Sequence, residues 1–268
     1  MKELQLNEIK EIELSILRHF DAFCREHDIK YFLSNGTLLG AVKYQGFIPW
    51  DDDIDVLLPR KDYDRLMEIY PKDGNFKLLS YERDENSVFP FAKLYDISTV
   101  IKNQTRLKDY VYGVHIDILP LDVLGDDFAL IAKAAEKNKR LAMKLSMSIT
   151  CYTKGRSFLR TCAKTLYTIC ASIVGYKVYK RKFLHQMEQL QKGADGKFVG
   201  CIMWSIRGKK EIFPAKIFAD TVELDFEGES YPAPAGYDTY LRQLYGDYEQ
   251  DPPLEKQKSH HSFIAYRL

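Results

Sequence analysis

Residues 51–58 read Asp-Asp-Asp-Ile-Asp-Val-Leu-Leu, and Pro59 closes the run. In an extended strand, side chains two apart share a face, so Asp53 and Asp55 are expected on one side while Ile54 and Val56 pack on the other. Two like charges held side by side raise one another's pKa unless a cation neutralises them. Mg2+ suits such a face, because it takes oxygen ligands and commonly shares them with substrate phosphates. Phosphoryl chemistry is the corresponding expectation. An EF-hand is excluded even though Asp51, Asp53 and Asp55 match its first alternating ligands. Val56 stands where that loop needs glycine, and Asp62 stands where it needs glutamate. Asp51 and Asp52, at the entrance to the strand, are accounted for equally well by turn and capping chemistry.

The same logic recurs in His115-Ile116-Asp117-Ile118-Leu119. Ile116 and Ile118 share one face, His115 and Asp117 the other, and a carboxylate between two isoleucines needs a purpose. Asp117 would complete a metal site or act as general base if its strand lies beside the first. The plain alternative is an edge-strand acid paired with a lysine.

Around these strands the pattern is mixed α and β. Apolar residues at 9, 12, 16, 17, 20, 23 and 24 form one face of an amphipathic first helix. Residues 30–34 read as a short strand, and 36–42 as a turn entering a helix whose backbone N–H groups would face an anion. A helix is expected over 60–70, strands over 89–95 and 113–119, a strand carrying Val222, Leu224 and Phe226, and a last helix capped near Gly246. The fold class is therefore α+β, with 1–127 as a catalytic core, 128–190 as a basic helical lobe, and 191–268 as a segment that completes the core.

Charge is distributed unevenly. Residues 128–187 hold thirteen Lys or Arg and one acid, Glu136, so this segment carries +12 and the rest of a +1 chain carries −11. Such separation points to an anionic partner, either a membrane surface touched peripherally or a glycan. An apolar stripe at helical spacing between 157 and 181 fits the first. No stretch reaches the roughly 20 residues needed to span a bilayer, and no uncharged one exceeds twelve residues, the length of 165–176. The charged first 20 residues do not read as a signal peptide, and five scattered cysteines without a CxxC pair fit a reducing cytoplasm. The expected location is the cytoplasm, with contact at the inner face of the cell membrane.

The order Gly36-Thr37, Asp53-Ile54-Asp55 and a distant strand Asp117 resembles the nucleotidyltransferase fold pattern. More closely, GTLLGAVKYQGFIPWDDDIDV at 36–56 is similar to the LicD family, bacterial phosphocholine transferases related to fukutin-type proteins. The similarity continues in Arg60-Lys61-Asp62-Tyr63, Phe91-Ala92-Lys93, Ile116-Asp117-Ile118, Pro232-Ala233-Pro234, Tyr245-Gly246-Asp247-Tyr248 and Pro252-Pro253, leaving only 128–210 without a motif. The resemblance implies a nucleotidyltransferase-like mixed sheet with flanking helices. It also implies transfer of phosphocholine from CDP-choline to a sugar hydroxyl of a lipid-linked cell-surface glycan, such as a teichoic acid precursor, with release of CMP. Mg2+, with Mn2+ as an alternative, would sit on Asp53, Asp55 and Asp117, the expected catalytic residues. Nucleic acid is not among the expected partners.

The donor pyrophosphate would lie across Gly36-Thr37, where threonine replaces the commoner serine. Lys93 is a candidate phosphate ligand, or else a rim lysine paired with an acid. Choline cannot donate a hydrogen bond, so aromatic faces are its natural receptor, with Trp50, Tyr245 and Tyr248 as candidates. His260 and His261 are further acid–base or acceptor-binding candidates. The competing expectations are a metal-dependent glycosyltransferase, an enzyme transferring the nucleotide itself or another CDP-alcohol, and a silent membrane or glycan adaptor.

Overall fold

The computed structural model describes residues 1–84, 87–102, 111–150, 157–191, 196–204, 206–257 and 263–268. Strand β1 (Lys2–Glu3) leads into α1 (Leu6–Glu26), whose start is held by the Glu8 carboxylate accepting from the Gln5 N–H at 2.9 Å. Then come β2 (Phe32–Leu33), α2 (Asn35–Tyr44), β3 (Asp55–Pro59), α3 (Arg60–Ile69), β4 (Phe76–Leu79), β5 (Ala92–Asp96), β6 (Thr99–Lys102) and β7 (His115–Gly125). Three helices follow: α4 (Phe128–Ile149), α5 (Phe158–Val174) and α6 (Tyr176–Gln191). The chain ends with β8 (Phe198–Gly200), β9 (Phe213–Pro214), β10 (Thr221–Phe226), β11 (Glu229–Pro234), α7 (Tyr237–Tyr245) and β12 (Ile264–Arg267).

The central sheet runs β2-β3-β7-β5-β4, and β8 and β9 extend it from the far half of β7. The pairing of β3 with β7 is parallel, and the other pairs are antiparallel. Burial of Ile16, Leu17 and Phe20 of α1 in the same apolar cluster as Ile54, Val56, Ile116 and Ile118 covers the sheet and accounts for the helical spacing in the sequence. A small sheet, β1-β12-β6, joins the two chain ends, and β10 and β11 form a hairpin.

Several expected boundaries move. The acidic strand begins at Asp55 rather than before Asp53, because its register partners start at Asp55 on the β7 side and at Val56 on the β2 side. The strand expected over 89–95 starts at Ala92, and the one expected over 113–119 runs on to Gly125, where its second half pairs with β8. The stripe expected to continue from 157 to 181 is broken at Gly175, whose φ of +83° ends α5. The last helix does stop at Gly246, in the left-handed region at φ +79°.

Gly40 lets the loop before β3 lie directly on α2. A Cβ there would stand 2.3 Å from the Gly46 carbonyl oxygen and 3.2 Å from the Ile48 nitrogen, both backbone atoms that cannot rotate away. Gly40→Ala is expected to cost about 1–3 kcal/mol by overpacking, read from urea unfolding. A variant as stable as the parent would mean that this loop moves freely.

Candidate active site

Asp55 opens β3 with its carboxyl turned away from the buried side chains of Ile54 and Val56. Its N–H donates to Thr37 Oγ1 at 2.8 Å, which ties the strand to the first turn of α2. Asn35, with φ +46°, hydrogen-bonds the Asp55 carboxylate and accepts from the Tyr240 hydroxyl at 3.1 Å. In the parallel ladder Asp117 is the register partner of Asp55, and in the next ladder Lys93 is the partner of Asp117. Neighbouring strands lie about 4.8 Å apart, so three charged side chains stand side by side on one face of the sheet.

Lys93 is 5% exposed, and its ammonium donates to Asp117 Oδ1 and lies 2.9 Å from His115 Nε2. His115 Nδ1 is 3.1 Å from the Gly113 carbonyl, an acceptor, so Nδ1 carries the proton and Nε2 accepts from Lys93. The rings of Phe89 and Phe91 lie 4.7 and 5.1 Å from the same ammonium. Lys93 is thus no rim lysine, and Asp117 is no edge-strand acid, because β7 lies between β3 and β5. The pairing of Asp117 with a lysine is nevertheless real, and His260 and His261 lie outside the described residues.

These groups open into a cavity of about 1130 Å³, whose walls include Gly36, Asp51, Asp52, Asp53, Asp55 and Asp117. Gly36 allows the acids to approach: a Cβ there would be 2.8 Å from Asp51 Oδ2 and 4.0 Å from Asp53 Oδ1. Trp50, Tyr245 and Tyr248 also line the cavity, with Trp50 edge-on to Tyr44 at 6.3 Å. Thr37, expected at the donor phosphate, is 3% exposed and lies behind the wall, where its hydroxyl positions the Asp55 backbone instead. Asp51 and Asp52 reach the cavity as well as serving the turn closed by the Asp51 N–H on the Ile48 carbonyl at 2.9 Å.

Sequence reasoning missed a second aromatic group, Phe89, Phe91 and Trp204, mutually in contact at 5.4–5.8 Å between ring centroids. Spacing of two ahead of Lys93 could have placed Phe89 and Phe91 on its face, but Trp204 comes from a stretch with no recognisable motif. Arg207, its guanidinium 4.5 Å from the Tyr245 ring centre, supplies a cation to the cavity wall. Glu13 was missed too, although it interrupts the apolar face of α1 between Ile12 and Ile16.

Glu13 is 2% exposed, lines the cavity, and its Oε2 has no hydrogen-bond partner among the described residues. Burial, and after it the charges of Asp53, Asp52, Asp117 and Asp51, push its carboxyl well above the usual carboxylate range. The folded state then holds this proton longer than the unfolded chain, so stability declines as pH rises above the ordinary glutamate value of about 4.3. Glu13→Gln is expected to flatten that decline in thermal melts between about pH 5 and 8. An equally steep decline in the variant would show that Glu13 does not cause it.

The acid-rich wall offers the all-oxygen donor set that Mg2+ prefers, and Asp51 and Asp53 both approach Gly36. No group of three or more His, Cys, Asp or Glu side chains in a metal-holding arrangement occurs among the described residues. Asp117, the ladder partner of Asp55, is engaged by Lys93. The residues fit the usual Mg2+ arrangement of one or two carboxylates completed by substrate phosphates.

A sheet whose parallel pair carries facing acids beside a glycine-containing helix start has the features of a nucleotidyltransferase domain, and residues 28–123 match the family described as LicD/FKTN/FKRP, nucleotidyltransferase domain. Over its full length the chain is 30% identical to the lipopolysaccharide cholinephosphotransferase LicD of Haemophilus influenzae, in an alignment of 273 residues covering 100% of both proteins. An uncharacterized protein of Rickettsia typhi is 33% identical over 115 residues, 42% of this chain and 36% of that one. The chain belongs to the LicD family.

Proposed function

We propose that this protein transfers phosphocholine from CDP-choline to a sugar hydroxyl of a cell-surface glycan, releasing CMP. The observation that carries the reading is the row Asp55, Asp117, Lys93, set in register on three adjacent strands and facing one acid-lined cavity. The relative aligned over its full length is named as a lipopolysaccharide cholinephosphotransferase, which supports phosphocholine transfer to a glycan; a teichoic acid precursor is the second acceptor of this reading.

In this reading Asp53 and Asp55 would hold Mg2+, which would supply neutralisation of the charge on the donor pyrophosphate. The acceptor hydroxyl oxygen forms a bond to the phosphorus bearing choline, and the bond from that phosphorus to the CMP oxygen breaks. Asp117 takes the hydroxyl proton, its carboxylate held in place by Lys93, and Arg207 faces the departing phosphate. Choline, a quaternary ammonium, is received by aromatic faces, either Trp50 with Tyr245 and Tyr248 or Phe89, Phe91 and Trp204.

Release of CMP from CDP-choline in the presence of lipopolysaccharide or teichoic acid acceptor tests this, against CDP-ethanolamine, CDP-ribitol and CDP-glycerol. CMP formed fastest from CDP-choline, with phosphocholine on the glycan, is expected. Nucleotide attached to the acceptor would mean nucleotidyl transfer, and CMP only from another donor would reassign the alcohol.

A further inference from the structure

Helix α5 is inside out for a surface helix. Leu159, Ala163, Leu166, Cys170 and Ile173 recur at spacings of three and four and so form one stripe, and all five are exposed. Leu159 and Ile173 keep 78% and 81% of their surface, and Phe158 at the helix start keeps 80%. The opposite side, packed on α4, buries Thr168 and Ala171. There Thr168 Oγ1 donates to Met147 Sδ at 3.7 Å and Ser172 Oγ lies 3.2 Å from the Ser148 carbonyl. The polar face is turned to the protein and the apolar face to the outside, the reverse of what a water-facing helix does.

Charge selects the occupant. Residues 157–187 contain no Asp or Glu, and Arg160 on α5 and Lys177, Arg181 and Lys182 in the first turns of α6 are exposed. Lys180 is turned inward, donating to the Ser87 carbonyl at 2.8 Å, and does not contribute. A second copy of this chain would set one basic rim against another, whereas an anionic bilayer complements both the stripe and its rim. No helix among the described residues is long and apolar enough to cross a membrane, and α5, at 17 residues, is about 25 Å long.

We propose that α5 lies on the surface of an anionic bilayer, its apolar stripe at the headgroup boundary and the basic residues among the lipid phosphates. This inference rests on the surface of α5 and not on the transfer reaction. The lobe shares a wall with the cavity, since Trp204 lines the cavity and also packs against the apolar cluster of α4, α5 and α6. Docking would thus hold the cavity close to whatever the membrane presents.

The test is sedimentation of the full chain with phosphatidylglycerol/phosphatidylcholine vesicles and with pure phosphatidylcholine vesicles, at about 0.1 M and about 1 M salt, where charges are screened over about 10 and about 3 Å. Each basic residue at such a surface is worth roughly fivefold in partitioning, so at least about a tenfold preference for the anionic vesicles at low salt is expected, shrinking at high salt. Leu159→Ser/Leu166→Ser/Ile173→Ser and, separately, Lys177→Glu/Arg181→Glu/Lys182→Glu are each expected to lose most binding while melting like the parent. Equal binding to both vesicles, binding to neither, or retention by the serine variant would overturn the proposal. So would a lipid-free dimer, seen by sedimentation velocity, that the serine variant dissolves. Should the serine variant fail to fold, the charge variant decides: parental binding by it would equally overturn the assignment.

Discussion

Asp55→Asn is expected to lower turnover about a thousandfold or more while raising the stability of the divalent-free protein. If Asp55 holds Mg2+ as proposed, loss of its carboxylate forfeits several kcal/mol at the transition state, and each 1.4 kcal/mol is about a factor of ten. The opposite sign on stability follows from burial, and after it from the charge of Asp117, which push the Asp55 carboxyl up to about 7. Folded protein keeps this proton while the unfolded chain loses it near the ordinary value of about 3.9, so stability falls as pH climbs from there to about 7. Asparagine removes that decline, and the variant should melt above the parent at neutral pH and converge with it toward pH 4. Added Mg2+ should raise the parent's stability by about 2.7 kcal/mol at one hundred times its dissociation constant and move the variant little. Parental turnover in the variant, or an equal Mg2+ response in both, would remove the metal assignment.

Lys93→Met is expected to cost about 3–5 kcal/mol and to abolish transfer, because it leaves the Asp117 carboxylate uncompensated beside Asp55. Methionine roughly keeps the volume among Phe89, Phe91 and Tyr112, so the loss reads charge and not a cavity. Lys93→Met/Asp117→Asn should recover most of the stability and none of the turnover. Urea unfolding of the two single variants and the double one measures the coupling as a cycle. A cost under about 1 kcal/mol for Lys93→Met would mean a solvent-screened pair, and Lys93 would then not orient Asp117.

Much of this site could be read along the chain. Ile54, Val56, Ile116 and Ile118 are all buried, so alternation correctly assigned their strands one apolar face and put Asp55 and Asp117 on the other. The turn that carries Gly36 and the loop that carries Trp50 both reach the cavity. Lys93 was singled out, but its surroundings were not legible: a side chain's partner across a ladder depends on register with residues more than twenty positions away. Glu13 was illegible for a related reason, since a helical stripe records which side is buried and not what that side is buried against. Its carboxyl faces acids 38 to 104 residues further on.

The basic lobe divides along the same line. Composition by itself determined that 128–187 is cationic and helical, and periodicity determined that α5 has an apolar side, because both depend only on local order. Neither says which way that side turns. An apolar stripe packs inward when a neighbouring helix presents a matching surface, and α4 instead presents to α5 a face that Thr168, Ala171 and Ser172 satisfy. The sequence determined the chemistry of each strand face and helix face. Only the tertiary structure decided which faces meet, because strand register and helix packing are settled by contacts between distant residues: Asp55 with Asp117, Asp117 with Lys93, and α5 against α4 with its leucines left outside.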